Sequence, residues 1–145
     1  MSIVYLIKDN KFYKLGFSEK DIKERIAQLQ TGNPHKLKYI HYSQIKSPKH
    51  AYRLEQYLLR KYKEHSMIGE WISINEEQVN EIVFLMKCLS DETVYDKYME
   101  YQATLKTLKP TSKHKKKTVD KLMSEYTKVE KDMMDFMMSM FEPKG

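Results

Sequence analysis

A chain of 145 residues is long enough for one compact domain with helical extensions and short for two domains with separate cores. Its one cysteine, Cys88, excludes an internal disulfide and a cysteine-built zinc cluster, which fits a reducing, intracellular setting, cytoplasmic or nuclear. Net charge is +6, and no segment has the apolar length needed to span a bilayer, so no membrane partner is expected.

The charge is unevenly spread. Residues 1 to 75 carry 14 Lys and Arg against 7 Asp and Glu, and residues 76 to 108 carry 3 against 7. Residues 109 to 117 add five lysines and no acid, and residues 118 to 145 carry 4 bases against 6 acids. The positive field therefore points any polyanion at the first half, with the affinity for phosphate backbones that needs no sequence preference. An ordinary lysine-rich solvated surface gives the same count, so charge alone leaves the two readings level.

In chain order, Ile3 to Lys8 is a β-branched and aromatic run, and Phe12 to Phe17 is a second, with Asp9-Asn10-Lys11 between them as turn chemistry. Together they read as a β-hairpin. Ser18 is a good N-cap for a short helix with Asp21 in its first turn, Ile22, Ile26 and Leu29 at helical spacing, and Gly32-Asn33-Pro34 as its stop. Leu37 to Ile45 reads as a third strand, and Ser47-Pro48 opens a helix to Tyr62 with Ala51, Leu54, Leu58 and Tyr62 on one face. Glu70 to Ile74 reads as a short strand closing the domain.

Asn75 caps a further helix bearing Val79, Ile82, Val83, Met86 and Leu89, and Ser90-Asp91-Glu92 breaks and recaps it before a segment to about Leu108. Lys109 to Lys117, with Pro110 and no apolar residue, reads as an exposed linker. From Val119 the apolar residues Leu122, Tyr126, Val129, Met133, Phe136 and Met140 alternate by three and four, a heptad seam. The expected organisation is a domain over 1–75, an acidic helical extension over 76–108, a lysine-rich linker over 109–117 and an amphipathic heptad helix over 118–145. The seam over 119–140 either joins two chains as a homodimer or folds back on the preceding helices, and self-association is the reading preferred here.

A chemistry-bearing constellation is dispersed through the first half: Tyr5, Tyr13-Lys14-Leu15-Gly16, Arg25, Gly32-Asn33-Pro34, Glu55 and Gly69-Glu70-Trp71. Phosphodiester hydrolysis needs a base for water, a cation for the developing phosphate charge and a metal at the leaving oxygen. Tyr5 or Tyr13, Arg25 and Glu55 supply those roles in principle. A guanidinium can grip two phosphate oxygens, and a single carboxylate suits magnesium, which keeps waters and substrate phosphate in its shell. His35, His41, His50 and His65 have no metal-ligand spacing and read as surface or packing residues.

These residues resemble the GIY-YIG nuclease superfamily, and within it the small T5orf172 or Mug113-type domains of phage and large DNA virus proteins. Ile3-Val4-Tyr5 stands where the first signature strand belongs and Lys14-Leu15-Gly16 where the second does. Arg25 with the helix end Leu29 to Pro34, then Leu54-Glu55 and Gly69-Glu70-Trp71, follow in order, covering about residues 1 to 75.

The resemblance implies an α+β fold, a small three-stranded antiparallel sheet flanked by helices and followed by the C-terminal helices, and a metal-dependent DNA endonuclease. It implies Tyr5 as base or water-positioning group, Arg25 as phosphate clamp, Glu55 as the sole protein ligand of Mg2+ or Mn2+, and Gly16 as a point of close packing. Lys14 replaces the tyrosine that opens the second signature, and Leu29 stands where many members carry His or Tyr. Lys14, Arg25, Lys36 and Lys38 are the expected nucleic-acid contacts, with DNA as partner. The alternatives are a catalytically inactive nucleic-acid-binding module, or a structural or assembly protein acting through its coiled-coil tail.

Overall fold

The computed structural model describes residues 1–67 and 69–141. Its first unit spans Met1–Asp91 and is built on an antiparallel sheet of β1 (Ser2–Lys8), β2 (Tyr13–Ser18), β3 (Lys38–Ile45) and β4 (Trp71–Ile72) in the order β3-β1-β2-β4. The class is the α+β arrangement expected, with a fourth strand because Trp71 and Ile72 extend the ladder beside Lys14 and Tyr13. Around it lie α1 (Ile22–Gln30), α2 (Pro48–Lys61) and α3 (Glu76–Leu89).

β1 is the central strand, and its unbroken apolar run follows from burial on both faces. Ile3, Tyr5 and Ile7 face one way and pack with Ile22 of α1 and with Leu37. Alternation turns Val4 and Leu6 to the other face, against α2, whose Ala51, Leu54 and Leu58 are fully buried. The edge strand β3 carries a bulge at Ile40, since Leu6 lies opposite His41 but Ile7 opposite Tyr39, a local twist that discourages strand addition at the edge.

The start of α1 differs from the sequence expectation. Ser18 is held in the ladder opposite Ile3, and the cap is Asp21, whose Oδ1 accepts from the Glu24 N–H at 2.8 Å. A serine paired with a central strand cannot also open a helix. Ser47 does cap α2, accepting from the His50 N–H at 3.2 Å, and Asn75 with Gln78 forms a reciprocal capping box on α3.

α3, grouped by sequence with the acidic extension 76–108, belongs to the first unit. Six of its side chains are buried, it packs on β3 and α2, and its carbonyls at Met86 and Leu89 accept from Ser43 Oγ and His50 Nε2. Burial pushes the Cys88 thiol in this helix up to about 11, which suits a packing residue.

The second unit begins at Glu92 and contains α4 (Glu92–Thr107) and α5 (Lys116–Ser139). α5 covers most of the segment 118–145 read as a heptad helix, but its most buried residues are Met133 and Met137, while the seam residue Met140 is exposed; residues 142–145 lie outside the described residues. Two residues of its seam meet α4: Met133 Sδ accepts from Gln102 Nε2 at 3.3 Å, and Phe136 lies 6.1 Å from the Tyr101 ring with the Lys97 ammonium 4.6 Å from its centroid. Met133→Ala is expected to cost this helix pair about 2–4 kcal/mol, read as an earlier loss of helical signal in a thermal melt. An unchanged melt would show that the seam does not hold α4.

Candidate active site

The site is assembled on the α1 face of the sheet, around β1 and β2. The ladder places Tyr5 opposite Gly16 and Ile7 opposite Lys14, and residues directly opposite one another share a face. Tyr5 lies across Gly16 so closely that a Cβ there would collide with the phenol carbon, its oxygen and a ring carbon. Glycine at 16 is what lets an aromatic ring lie flat in the middle of the sheet.

Arg25, partly buried on the stripe of α1 that carries Ile22, Ile26 and Leu29, turns to this ring. Its Nε donates to the Tyr5 hydroxyl at 3.0 Å, its guanidinium carbon lies 5.9 Å from the ring centroid, and Nη1 donates to Gln28 Oε1 at 3.3 Å. Those bonds use two of the five guanidinium N–H donors and fix the plane of the fork, leaving the others for a phosphate. Tyr5 is 1% exposed. Burial holds its phenol above the ordinary pKa, with Glu70 and Glu55 adding to the rise and Arg25 opposing it, so the phenol stays protonated at neutral pH.

Glu55 arrives from α2, half-buried beside the fully buried Leu54. Burial raises its pKa above the ordinary value, and the Glu70 carboxylate pushes the same way. A hydrogen bond from Gln56 Nε2 at 2.9 Å, the Phe17 backbone N–H and the Lys14 ammonium act in the opposite sense. A half-buried carboxylate whose charge is disfavoured by burial and by the field of a second carboxylate gains from a cation.

That strain has a sign that can be measured. The folded-state pKa of Glu55 is raised, so the folded protein prefers the protonated acid; wild type loses stability as pH rises through the unfolded and then the folded value. Glu55→Gln should therefore stabilise metal-free protein at pH 7. The gain is about 0.5–1 kcal/mol, limited by solvent screening at a half-buried group, and fades below the ordinary glutamate pKa. Thermal melts at pH 7 and pH 4 test this, and a variant less stable than wild type at pH 7 would contradict it.

Lys14 and Glu70 form an ion pair of 3.1 Å, with the Lys14 side chain 13% exposed and Glu70 62%, and the Lys14 ammonium lies 5.9 Å from the Trp71 ring centroid. The pairing of Lys14 with Trp71 in the β2-β4 ladder produces this contact. Tyr13 does not join the group. It pairs with Lys8 and Ile72, alternation turns it to the α2 face, and it is buried with the Lys8 ammonium 5.3 Å from its ring. Lys36 and Lys38 are exposed and line a depression of about 340 Å3 with Lys8, Asn10 and His35, beside the site and outside it.

Two contributors carry more than their sequence suggested. Glu70, given no separate role by the sequence, raises the pKa of both Tyr5 and Glu55 through its charge. Gln30 locks the segment after α1: its Nε2 donates to the Asn33 and His35 carbonyls at 3.2 and 2.7 Å, and its Oε1 accepts from the Leu37 N–H at 2.9 Å. Gly32, at φ +77°, supplies the left-handed turn inside that lock. The signal for Gln30 is its place in Leu29-Gln30-Thr31-Gly32-Asn33-Pro34, but only the folded loop reveals three backbone partners.

Among the described residues no group of three His, Cys, Asp or Glu could hold a metal ion. A single hard carboxylate such as that of Glu55 suits magnesium or manganese, which keep water and substrate phosphate in the shell, better than zinc, which takes three or four side chains. No described helix is long and apolar enough to cross a membrane. The comparison with curated proteins and that with solved structures found no match. The model of the T5orf172 domain matches residues 2–87, well over half of the chain and the whole of the sheet with Tyr5, Lys14, Arg25, Glu55 and Glu70. With that match and this geometry together, the chain belongs to the T5orf172 domain family, a family of nuclease-like domains.

Proposed function

We propose that the protein is a metal-dependent DNA endonuclease whose site is Arg25, Glu55, Lys14, Tyr5 and Glu70. The observation that carries this reading is the Arg25 Nε–Tyr5 hydroxyl bond of 3.0 Å, formed over Gly16 and within the electrostatic reach of two carboxylates. Arg25 supplies the cation clamp, and Glu55 and Glu70 both act electrostatically on Tyr5, the residue that holds it. Glu55 would hold Mg2+ or Mn2+, which would supply charge stabilisation at the phosphate and the leaving oxygen.

The chain's own groups divide the remaining work. Arg25 binds phosphate oxygens and neutralises the charge that grows in the transition state. Tyr5, buried and protonated, is a positioning residue that holds the guanidinium plane, and this role replaces that of base. Lys14, in the place of a tyrosine, adds a positive charge on the same face. Glu70, exposed to water and ion-paired with Lys14, is the carboxylate placed to accept the proton of the attacking water. Lys36 and Lys38 extend the positive track for the DNA backbone.

A second reading, a binding module that has lost cleavage, is favoured by two features: Lys14 is tied to Glu70, and Leu29, where the resemblance to the GIY-YIG superfamily implies His or Tyr, is partly buried against the core. Nicking of supercoiled plasmid with and without magnesium separates the two. Arg25→Lys keeps the charge but loses the fork and the Tyr5 bond, and is expected to slow nicking about 10²- to 10³-fold while DNA binding falls far less. Wild-type nicking by that variant would remove Arg25 from the site. Salt-sensitive binding by a protein that never nicks would leave the binding module.

A further inference from the structure

Beside Lys14 the α1 face opens into a cleft of about 550 Å3, walled by Phe12 from the hairpin turn, Leu29 and Pro34 from the end of α1, and Met67 and Trp71 from the β4 side. Its size suits a nucleotide-sized ligand and its walls are largely apolar. The loop that forms one wall is held rigid by Gln30, and the hairpin turn that forms another is held by Asp9, whose Oδ1 accepts from the Lys11 and Phe12 N–H groups at 3.0 and 2.9 Å. A hydrolytic site for a phosphodiester does not itself require an apolar cavity of this kind.

We propose that this cleft seats one unstacked base of a DNA strand, so that the protein acts on single-stranded or locally unpaired DNA in preference to continuous duplex. The inference rests on the endonuclease reading above. Lys14 belongs to both places: its side chain lines the cleft, and it sits two residues, about 7 Å, along β2 from Gly16, where Tyr5 and Arg25 meet. A strand with its phosphate at Arg25 therefore has its neighbouring nucleotide at the mouth of the cleft. On the far side of Asp9 and His35, which border both cavities, Lys8, Lys36 and Lys38 continue the positive charge that a phosphate backbone follows.

The occupant follows from that chemistry. Aromatic and apolar walls bind a base through its face, and they do so without reading its sequence. In duplex DNA both faces of each base are covered by neighbours, so entry costs unstacking and unpairing; a single strand has already met that cost. Duplex would be bound through its phosphates alone.

Trp71 is the only tryptophan in the chain and therefore reports on the cleft directly. The full-length protein is titrated in EDTA at fixed salt, so that no cleavage occurs, with a single-stranded oligonucleotide, the same sequence as a hairpin-closed duplex, and free dAMP. The expected result is quenching of Trp71 emission by the single strand, binding about tenfold tighter than to the duplex, and no comparable quenching by dAMP at the same concentration. Phe12→Ala should lower single-strand affinity about tenfold with duplex affinity and the free-protein melt unchanged. Should that variant fail to fold, Met67→Ala, at a half-exposed wall position, makes the same test.

Equal affinity for both DNAs without a change in Trp71 emission overturns the base pocket, and if magnesium-dependent nicking persists the endonuclease reading stands. Quenching by dAMP equal to that by the strand also overturns it, assigning the cleft to a free nucleotide. Absence of both DNA binding and nicking removes the endonuclease reading, and the pocket with it.

Discussion

Glu55→Ala is expected to lower magnesium-dependent nicking of supercoiled plasmid by about 10³-fold while leaving DNA affinity within a few-fold of wild type. The size follows from what Glu55 supplies: a half-buried carboxylate whose negative charge burial and the Glu70 carboxylate already disfavour. Losing the hard oxygen that fixes a divalent ion forfeits several kcal/mol of transition-state stabilisation. DNA affinity rests instead on Arg25, Lys14 and the exposed lysines, whose count the substitution does not change. Glu55→Gln should behave like the alanine variant, since an amide oxygen carries no charge for the ion. A plasmid assay in which Glu55→Ala nicks as fast as wild type would exclude it as the metal ligand, and parallel loss of nicking and DNA binding would point to misfolding, which the melt of the same variant reveals.

Gly16→Ala is the substitution expected to disturb the fold of the site most. The added Cβ meets the Tyr5 ring and its oxygen, in a sheet interior where Tyr5 is 1% exposed and has no room to retreat. Overpacking of this kind costs about 3 kcal/mol, on the order of 15 °C in the melting temperature of a domain this size. If the ring turns aside, the 3.0 Å bond that holds Arg25 is lost, so any folded Gly16→Ala protein should also nick slowly. Tyr5→Leu combined with Gly16→Ala removes most of the collision and should regain much of the stability without regaining nicking. A single variant as stable as wild type would mean that the ring is not lodged against Gly16.

Much of the sheet unit is legible in local pattern. The apolar run of β1, the Asp9-Asn10-Lys11 turn, Gly32-Asn33-Pro34 after α1, Ser47-Pro48 before α2 and Asn75 before α3 each act through bonds within a few residues, and each marks an element that forms. Ser18 shows where that logic stops. It has the chemistry of a cap, but its pairing with Ile3 across the hairpin decides its conformation and the cap passes to Asp21. The closing strand read over Glu70 to Ile74 forms only over Trp71–Ile72, the two residues that pair with β2.

The site divides in the same way. Local sequence already names the groups available: an arginine on the helix after the hairpin, one carboxylate amid apolar helix residues, a lysine in place of a tyrosine, and a glycine two residues on. It also determined the face of Tyr13, since alternation along a regular strand turns adjacent residues apart. Tertiary structure alone decided how those groups act. Burial under α1 turns Tyr5 from candidate base into a holder of Arg25, convergence of β4 on β2 brings Glu70 to Lys14, and α4 meets two residues of the heptad seam. Solvation and electrostatic coupling depend on distances between residues remote in the chain, and pattern within one segment carries no record of them.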